Sequence, residues 1–229
     1  MNCHDPLQVV DLGSLAYLPA LERQRQVNEQ VASGQSPMTL LLVEHPPVIT
    51  VTHRRHAMDN LITTPSQLEE LGIALQETDR GGDITYHGPG QLVAYPILRL
   101  NDLGLNLGSY MRLLERIVID TLAAFHIHGR CEAGATGVWV KMNDAQQCKL
   151  AKICAMGVRV RKNTTMHGLA INVCPEMSHF QTIIPCGLKD SLVISMQQLL
   201  GDQCPEMDQV KQTLVSQFHH VIQKKPGAT

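Results

Sequence analysis

Between positions 80 and 91 the chain reads Arg80-Gly81-Gly82-Asp83-Ile84-Thr85-Tyr86-His87-Gly88-Pro89-Gly90-Gln91, and five of these twelve residues are glycine or proline. Glycine admits positive φ and lets backbone pass close to a ligand or another strand. A plain turn does not also need an arginine, a threonine, a tyrosine, a histidine and a glutamine. The run leads into Leu92-Val93-Ala94-Tyr95-Pro96-Ile97-Leu98, an apolar stretch of strand character. A Gly-rich loop feeding a buried strand is a good place to build a pocket. It is no nucleotide motif, because neither G-x-x-x-x-G-K-[ST] nor G-x-G-x-x-G occurs in the chain.

The rest of the pattern indicates the frame around that pocket. Ala16 to Ser33 reads as an amphipathic helix stopped by Gly34. Met38 to Val43 and Val48 to Thr52 read as strands flanking the Pro46-Pro47 break. Thr64 followed by Pro65 caps a short helix reaching Gly72, and Ile73 to Glu77 is a strand that delivers the chain to the Gly-rich run. Leu105 to Phe125 is the strongest helix, with Tyr110, Leu113, Leu114, Ile117, Thr121, Leu122 and Phe125 on one face. Gly137–Lys141 and Ala151–Arg161 form a hairpin around Asn143-Asp144-Ala145-Gln146. His167–Val173 is a further strand, and Met207–Ile222 a C-terminal helix. Strands and helices do not alternate as βαβ units. The expected fold is therefore α/β of the α+β type: one domain over residues 1–229, with a mixed, mostly antiparallel sheet flanked by helices.

A chain of 229 residues with 44% apolar residues can bury a substantial core. A formal charge of −2 and 3% aromatic residues argue against nucleic acid and against an anionic membrane as partners. No apolar run approaches 18 residues and no charged-then-apolar leader opens the chain, which reads as cytoplasmic. Its seven cysteines are scattered, with no C-x-x-C pair, so neither a disulfide framework nor a zinc knuckle is indicated. No metal or other cofactor is expected.

Two side chains stand out downstream. Cys186 lies between Ile183-Ile184-Pro185 and Gly187. Buried cysteine usually acts as a small hydrophobe, whereas flanking proline and glycine suit a sharp, exposed presentation of a nucleophile. Lys152 sits in an otherwise apolar strand, where it either snorkels to solvent or faces a partner. Strand alternation puts Lys152 and Cys154 on one face, opposite Ala151. Of eleven histidines, His87 and His167 belong in the pocket, and a papain-like pairing of His167 with Cys186 stays open. Ala155, Gly157, Gly168 and Ala170 either leave room for a slim chain or permit close strand packing.

The Gly-rich run fits one known signature at Arg80, Gly81, Gly82, Thr85, Tyr86, His87, Gly90, Gln91, Val93 and Tyr95. Lys152-Ile153-Cys154-Ala155-Met156-Gly157, His167-Gly168-Leu169-Ala170-Ile171-Asn172 and Pro185-Cys186-Gly187 follow in the matching order. These blocks resemble the lipoyl(octanoyl) transferase family, from about His45 to Leu188. The resemblance implies an architecture shared with biotin and lipoate ligases. It also implies transfer of an octanoyl group from octanoyl-acyl carrier protein to a lysine of lipoyl domains, through a thioester on Cys186, as the first step of protein lipoylation. The acceptors it implies are the 2-oxoacid dehydrogenase complexes and glycine cleavage H protein. Cys186 and Lys152 would be the catalytic dyad. Acyl binding would fall to Arg80, Gly81, Gly82, Asp83, Ile84, Thr85, Tyr86 and His87, to Ala155, Met156 and Gly157, and to Gly168, Leu169 and Ala170. An ATP-dependent lipoate or biotin ligase and a non-catalytic carrier-binding module are the rival readings. The family's usual Gly-Arg pair after the V-I-T strand is here His53-Arg54-Arg55, and Cys154 stands where small aliphatics are usual. An acidic carrier would need local cations, for which Arg54, Arg55, Arg159, Arg161 and Lys162 are candidates.

Overall fold

The structure, a computed structural model, describes residues 7–143, 148–184 and 192–223. Strand β1 (Leu7–Ser14) leads to helix α1 (Tyr17–Ala32), then to β2 (Met38–Glu44) and β3 (Val48–Thr52) on either side of Pro46-Pro47. Helix α2 (Pro65–Glu70) and β4 (Ala74–Thr78) follow, then β5 (Ile84–His87) and β6 (Gln91–Ile97). Helix α3 (Leu107–Ala123) precedes β7 (Gly129–Glu132), β8 (Ala135–Asn143), β9 (Cys148–Arg161) and β10 (Thr164–Asn172). The short β11 (Leu192–Val193), α4 (Met196–Leu200) and α5 (Met207–Gln223) close the described chain.

The strands form two sheets. The larger runs β1-β2-β6-β10-β9-β8-β7, with β11 beside β9, and the smaller runs β4-β3-β5. Pairing in the larger sheet is antiparallel except β1 with β2 and β11 with β9, so the sheet is mixed, as expected. Every residue of β6 and β10 is buried, so both faces of the sheet centre are covered. That explains why Leu92–Ile97 reads as a continuous apolar run with no alternation. Helix α1 packs on β2, β6 and β10, and α5 packs on α3, β1 and β6. Leu40, Leu41, Leu92, Ile97, Tyr110, Leu114, Leu214 and Phe218 sit in that core at no measurable exposure. A second core joins the small sheet to α2 through Ile49, Val51, Leu68, Ile84 and Tyr86.

Local chemistry explains the helix starts. Thr64 accepts from the Gln67 amide while Gln67 returns a bond to the Thr64 amide, and Pro65 opens the helix. Asn106 and Ser109 make the same reciprocal pair at α3. The expected ends of α1, α3 and the hairpin strands shift by one to three residues. Two differences are larger. The Gly-rich run is not all loop, since Ile84–His87 pairs with β3. Strands β1, β7 and β11 and helix α4 were not foreseen; all but β1 are five residues or shorter, and β1 has no clean alternation. No described helix is long and apolar enough to cross a membrane.

Glycine at 168 is demanded by packing. A Cβ there would lie 2.1 Å from the Ala94 carbonyl oxygen and 2.7 Å from Pro96 Cδ, because β10 runs hard against β6. Gly168→Ala should therefore lose about 2 kcal/mol or more in urea unfolding. An unchanged midpoint and slope would show that the two strands have room to part.

Candidate active site

The Gly-rich run is held in place mainly by backbone. The Gly81 amide donates to the Val158 carbonyl at 2.9 Å. A Cβ on Gly157 would meet the Gly81 oxygen at 2.5 Å, and Gly82 has φ of +95°. Gly157 is thus a close-approach position and not simply a vacancy for substrate. The Arg80 guanidinium donates to the Thr50, Gly81 and Asp83 carbonyls at 2.9, 3.0 and 3.1 Å, and to Thr50 Oγ1. Arg80 ties its own loop to β3 through these backbone acceptors.

Beneath this loop lies a cavity of ≈ 500 Å3 including its mouth. The structure brings together on its wall Arg80, Gly82, Asp83, Ile84, Thr85, His87, Ala155, Met156, Gly157, Gly168, Leu169 and Ala170. Gly81 lines an adjoining cavity instead. Tyr86 lines neither. Its ring stacks edge-on to Phe180 and its hydroxyl bonds His179 Nδ1 at 2.8 Å, because alternation along β5 turns it into the second core. Tyr17, Val93, Tyr95 and His167 complete the wall. His167 was placed in the pocket by sequence. Tyr17 stands at the start of α1, 63 positions before Arg80, with no local signal to mark it.

The polar groups in and behind the wall are held by several sets of hydrogen bonds. Tyr17 shares a 2.5 Å hydrogen bond with Thr78 Oγ1, and His45 bridges the Leu15 carbonyl and the Tyr95 hydroxyl at 2.6 and 2.7 Å. Gln91 donates to Asn172 Oδ1, so its oxygen accepts from His87 Nδ1 at 2.6 Å. His87 Nε2 is then an acceptor. His167 Nε2 bonds Asp79 Oδ1 at 2.8 Å, and Asp79 also pairs with Arg159. The bond from His167 holds the Asp79 carboxyl down at about 2, so it is ionised and accepts from an Nε2–H. Burial lowers His45 and His167, and drives His87 down to about 3, with His45 adding to the effect. All three imidazoles are neutral at pH 7, so the cavity carries hydrogen-bonding groups without net histidine charge.

Lys152 is 6% exposed and lines the adjoining cavity of ≈ 970 Å3, together with Met156, Val158 and Gly81–Asp83. Its ammonium lies 4.7 Å above the centre of the Trp139 ring. That ring is fixed by its Nε1–H donating to the Ala135 carbonyl at 3.1 Å. The strand hairpin carries an extra residue, Ile153, between the pairs Val138–Cys154 and Trp139–Lys152. This bulge breaks the alternation on which the sequence expectation relied. Cys154 is fully buried in the main core while Lys152 opens on the cavity. Burial pushes the Cys154 thiol up to about 12, so it is an inert filler. Gly137, at φ +118°, runs beside Lys152; its amide donates to Glu115 Oε1 at 3.4 Å, and Glu115 is buried on α3.

Cys186 and its flanking Pro185 and Gly187 lie outside the described residues, as does the Asp144–Gln146 turn. The described chain before them is tied by the Ile184 amide to the Asn60 carbonyl at 2.8 Å. After them it resumes at β11, where Val193 registers against Lys152 and the Ile194 amide bonds the Lys152 carbonyl at 3.0 Å.

Buried neutral His87 has a measurable consequence. Below the ordinary histidine value of 6.5 the unfolded chain gains a proton there, and the folded chain does not until about 3. Stability from this source is complete above pH 6.5 and declines on acidification, by at most about 1.4 kcal/mol per pH unit. His87→Gln should show a shallower loss of urea-unfolding stability between about pH 6.5 and 4.5. An unchanged slope would mean His87 takes up its proton within the fold.

Comparison with known proteins agrees with the motifs. The lipoyl protein ligase A/B catalytic domain matches residues 16–219. The octanoyltransferase of Chloroflexus aurantiacus is 44% identical over 221 residues, covering 96% of each chain. Among solved structures, the bi-partite lipoate protein ligase of Thermoplasma acidophilum, from an archaeal lipoylation system with its E2 lipoyl domain, superposes with TM-score 0.69 at 14% identity. That match covers 95% of this chain and 83% of the ligase. The Aquifex aeolicus biotin protein ligase complex with biotin and ATP gives TM-score 0.56 at 13% identity, over 96% and 73% of the two chains. These distant structures share the fold, whereas the near-full-length sequence identity and the ordered motifs place this chain in the lipoyl protein ligase A/B catalytic-domain family, as an acyltransferase of its octanoyltransferase branch.

Proposed function

We propose that this acyltransferase takes an octanoyl group from octanoyl-acyl carrier protein and passes it, through a thioester on Cys186, to a lysine of lipoyl domains. The domains meant are those of 2-oxoacid dehydrogenase complexes and glycine cleavage H protein. The observation that carries the reading is the position of Lys152. It is a nearly buried lysine on the wall of the cavity that adjoins the one beneath the Gly-rich run, and the chain that follows Cys186 returns in register with it at Val193. The slim, largely apolar cavity beneath the Gly-rich run supports an alkyl ligand, with Ile84, Val93, Ala155, Leu169 and Ala170 on its wall.

The chemistry runs in two balanced steps. The Cys186 thiolate attacks the donor carbonyl, a new S–C bond forms, the carrier's S–C bond breaks, and the carrier thiolate leaves and takes up a proton. One thioester replaces another at little change in free energy. The acceptor amine then attacks, an N–C bond forms, the Cys186 S–C bond breaks, and the amine proton is taken up within the dyad. The amide product makes this step downhill. Lys152 supplies a cation that favours the thiolate before the first step and, once neutral, a base for the amine in the second. Tyr17 is held by Thr78, Tyr95 by His45 and His87 by Gln91, and these hydrogen bonds keep the cavity shaped without adding histidine charge.

Mixing the protein with octanoyl-acyl carrier protein, without ATP, should add one octanoyl mass to Cys186. Cys186→Ser should lose at least ~10³ in transfer rate with the fold intact. Adduct formation that requires ATP would point to a ligase, and retained activity in Cys186→Ser would remove the thioester. Lys152→Met should move the pH profile of Cys186 alkylation upward, because a cation that stabilises the thiolate has gone. Overlaid wild-type and mutant profiles would show that Lys152 is not the partner of the thiol.

A further inference from the structure

We propose that the larger cavity beside Lys152 is the channel for the phosphopantetheine arm of the carrier, with Arg54 at its rim holding the arm's phosphate; this rests on the carrier-dependent transfer proposed above. A thioester diverges at its carbonyl into an alkyl tail and a thiol-bearing arm. If the tail fills the cavity beneath the Gly-rich run, the arm needs a second route that meets it at the reacting group. The larger cavity meets this requirement. It shares Gly82, Asp83, Met156 and Gly157 with the first cavity and adds Lys152, which the first lacks.

Its lining fits an arm better than the acceptor. It is the roomier of the two, with ≈ 970 Å3 counted out to open solvent against ≈ 500 Å3. Its wall mixes backbone at Gly81–Asp83 and Gly134–Thr136 with the flexible side chains of Met111 and Met156. A slender chain interrupted by amides can use both. Arg54 lines this cavity yet is an exposed residue, which puts it at the rim, where the arm's phosphodiester would emerge. Its backbone is steadied by a 3.4 Å bond from its amide to Thr52 Oγ1. The facing carboxylate of Asp83 is itself engaged by Asn60 Nδ2 at 3.1 Å. Among the other candidate cations, Arg159 is committed to Asp79, which holds His167.

The test compares octanoyl thioesters of phosphopantetheine, of pantetheine and of N-acetylcysteamine as donors, with one lipoyl domain as acceptor. Arg54→Ala should cut the kcat/KM ratio of the phosphopantetheine to the pantetheine donor about threefold to fivefold. Thr136→Trp should obstruct the channel, lowering kcat/KM at least about tenfold for both long donors relative to the N-acetylcysteamine donor. Equal losses with all three donors would overturn the assignment in favour of a structural role. A raised KM for the lipoyl domain with donor ratios unchanged would overturn it in favour of an acceptor channel. No transfer by the wild-type protein from any donor, nor from octanoyl-acyl carrier protein, would instead sink the transfer reading itself.

Discussion

The contact between the Gly-rich run and strand β9 is the constraint on which the rest of the site depends. Gly81 donates to the Val158 carbonyl while its own oxygen lies where a Cβ of Gly157 would be. Arg80 then gathers the carbonyls of Thr50, Gly81 and Asp83 around one guanidinium. A planar fork with several fixed donors can satisfy backbone acceptors from both the loop and β3, which a lysine could not do. The small sheet is thereby docked on the large one. Both cavities are bounded by the seam, so a change at Gly157 or Arg80 moves two walls at once.

The histidines beside that seam are polar but uncharged. His45, His87 and His167 are held neutral by burial, each with a hydrogen-bond partner. Asp79 stays ionised because His167 and Arg159 both face it. A cavity wall of this kind can orient a carbonyl or an ordered water without repelling an alkyl chain. Lys152 brings its ammonium to the wall of the adjoining cavity, where it rests on the face of Trp139. The negative face of an indole attracts an ammonium.

The architecture explains how ligases and transferases can share this frame. The lipoate and biotin ligases that share this fold are only 13–14% identical to this chain. Function therefore has to be argued from the residues of the site and not from the fold.

Sequence alone determined the helices α1, α3 and α5, the strands β2, β3, β6 and β10, and the mixed character of the sheet. Those elements carry long apolar faces, recognisable caps or unambiguous breaks such as Pro46-Pro47, and such signals are local. The motif blocks likewise singled out Arg80–His87, Lys152, Ala155–Gly157 and Gly168–Ala170. Tertiary structure decided what each of these residues does. Tyr86 turns away from the cavity because of the phase of β5, and Gly157 and Gly168 are required by neighbouring backbone. Arg80 is spent on its own loop, and one extra residue at Ile153 separates Cys154 from Lys152. Tyr17, Asp79 and Trp139 carry no local signal, since their partners Thr78, His167 and Lys152 are 61, 88 and 13 positions away. A side chain's neighbours across a sheet are set by register and by close approach of backbones, and neither is written in the periodicity of the strand that carries it.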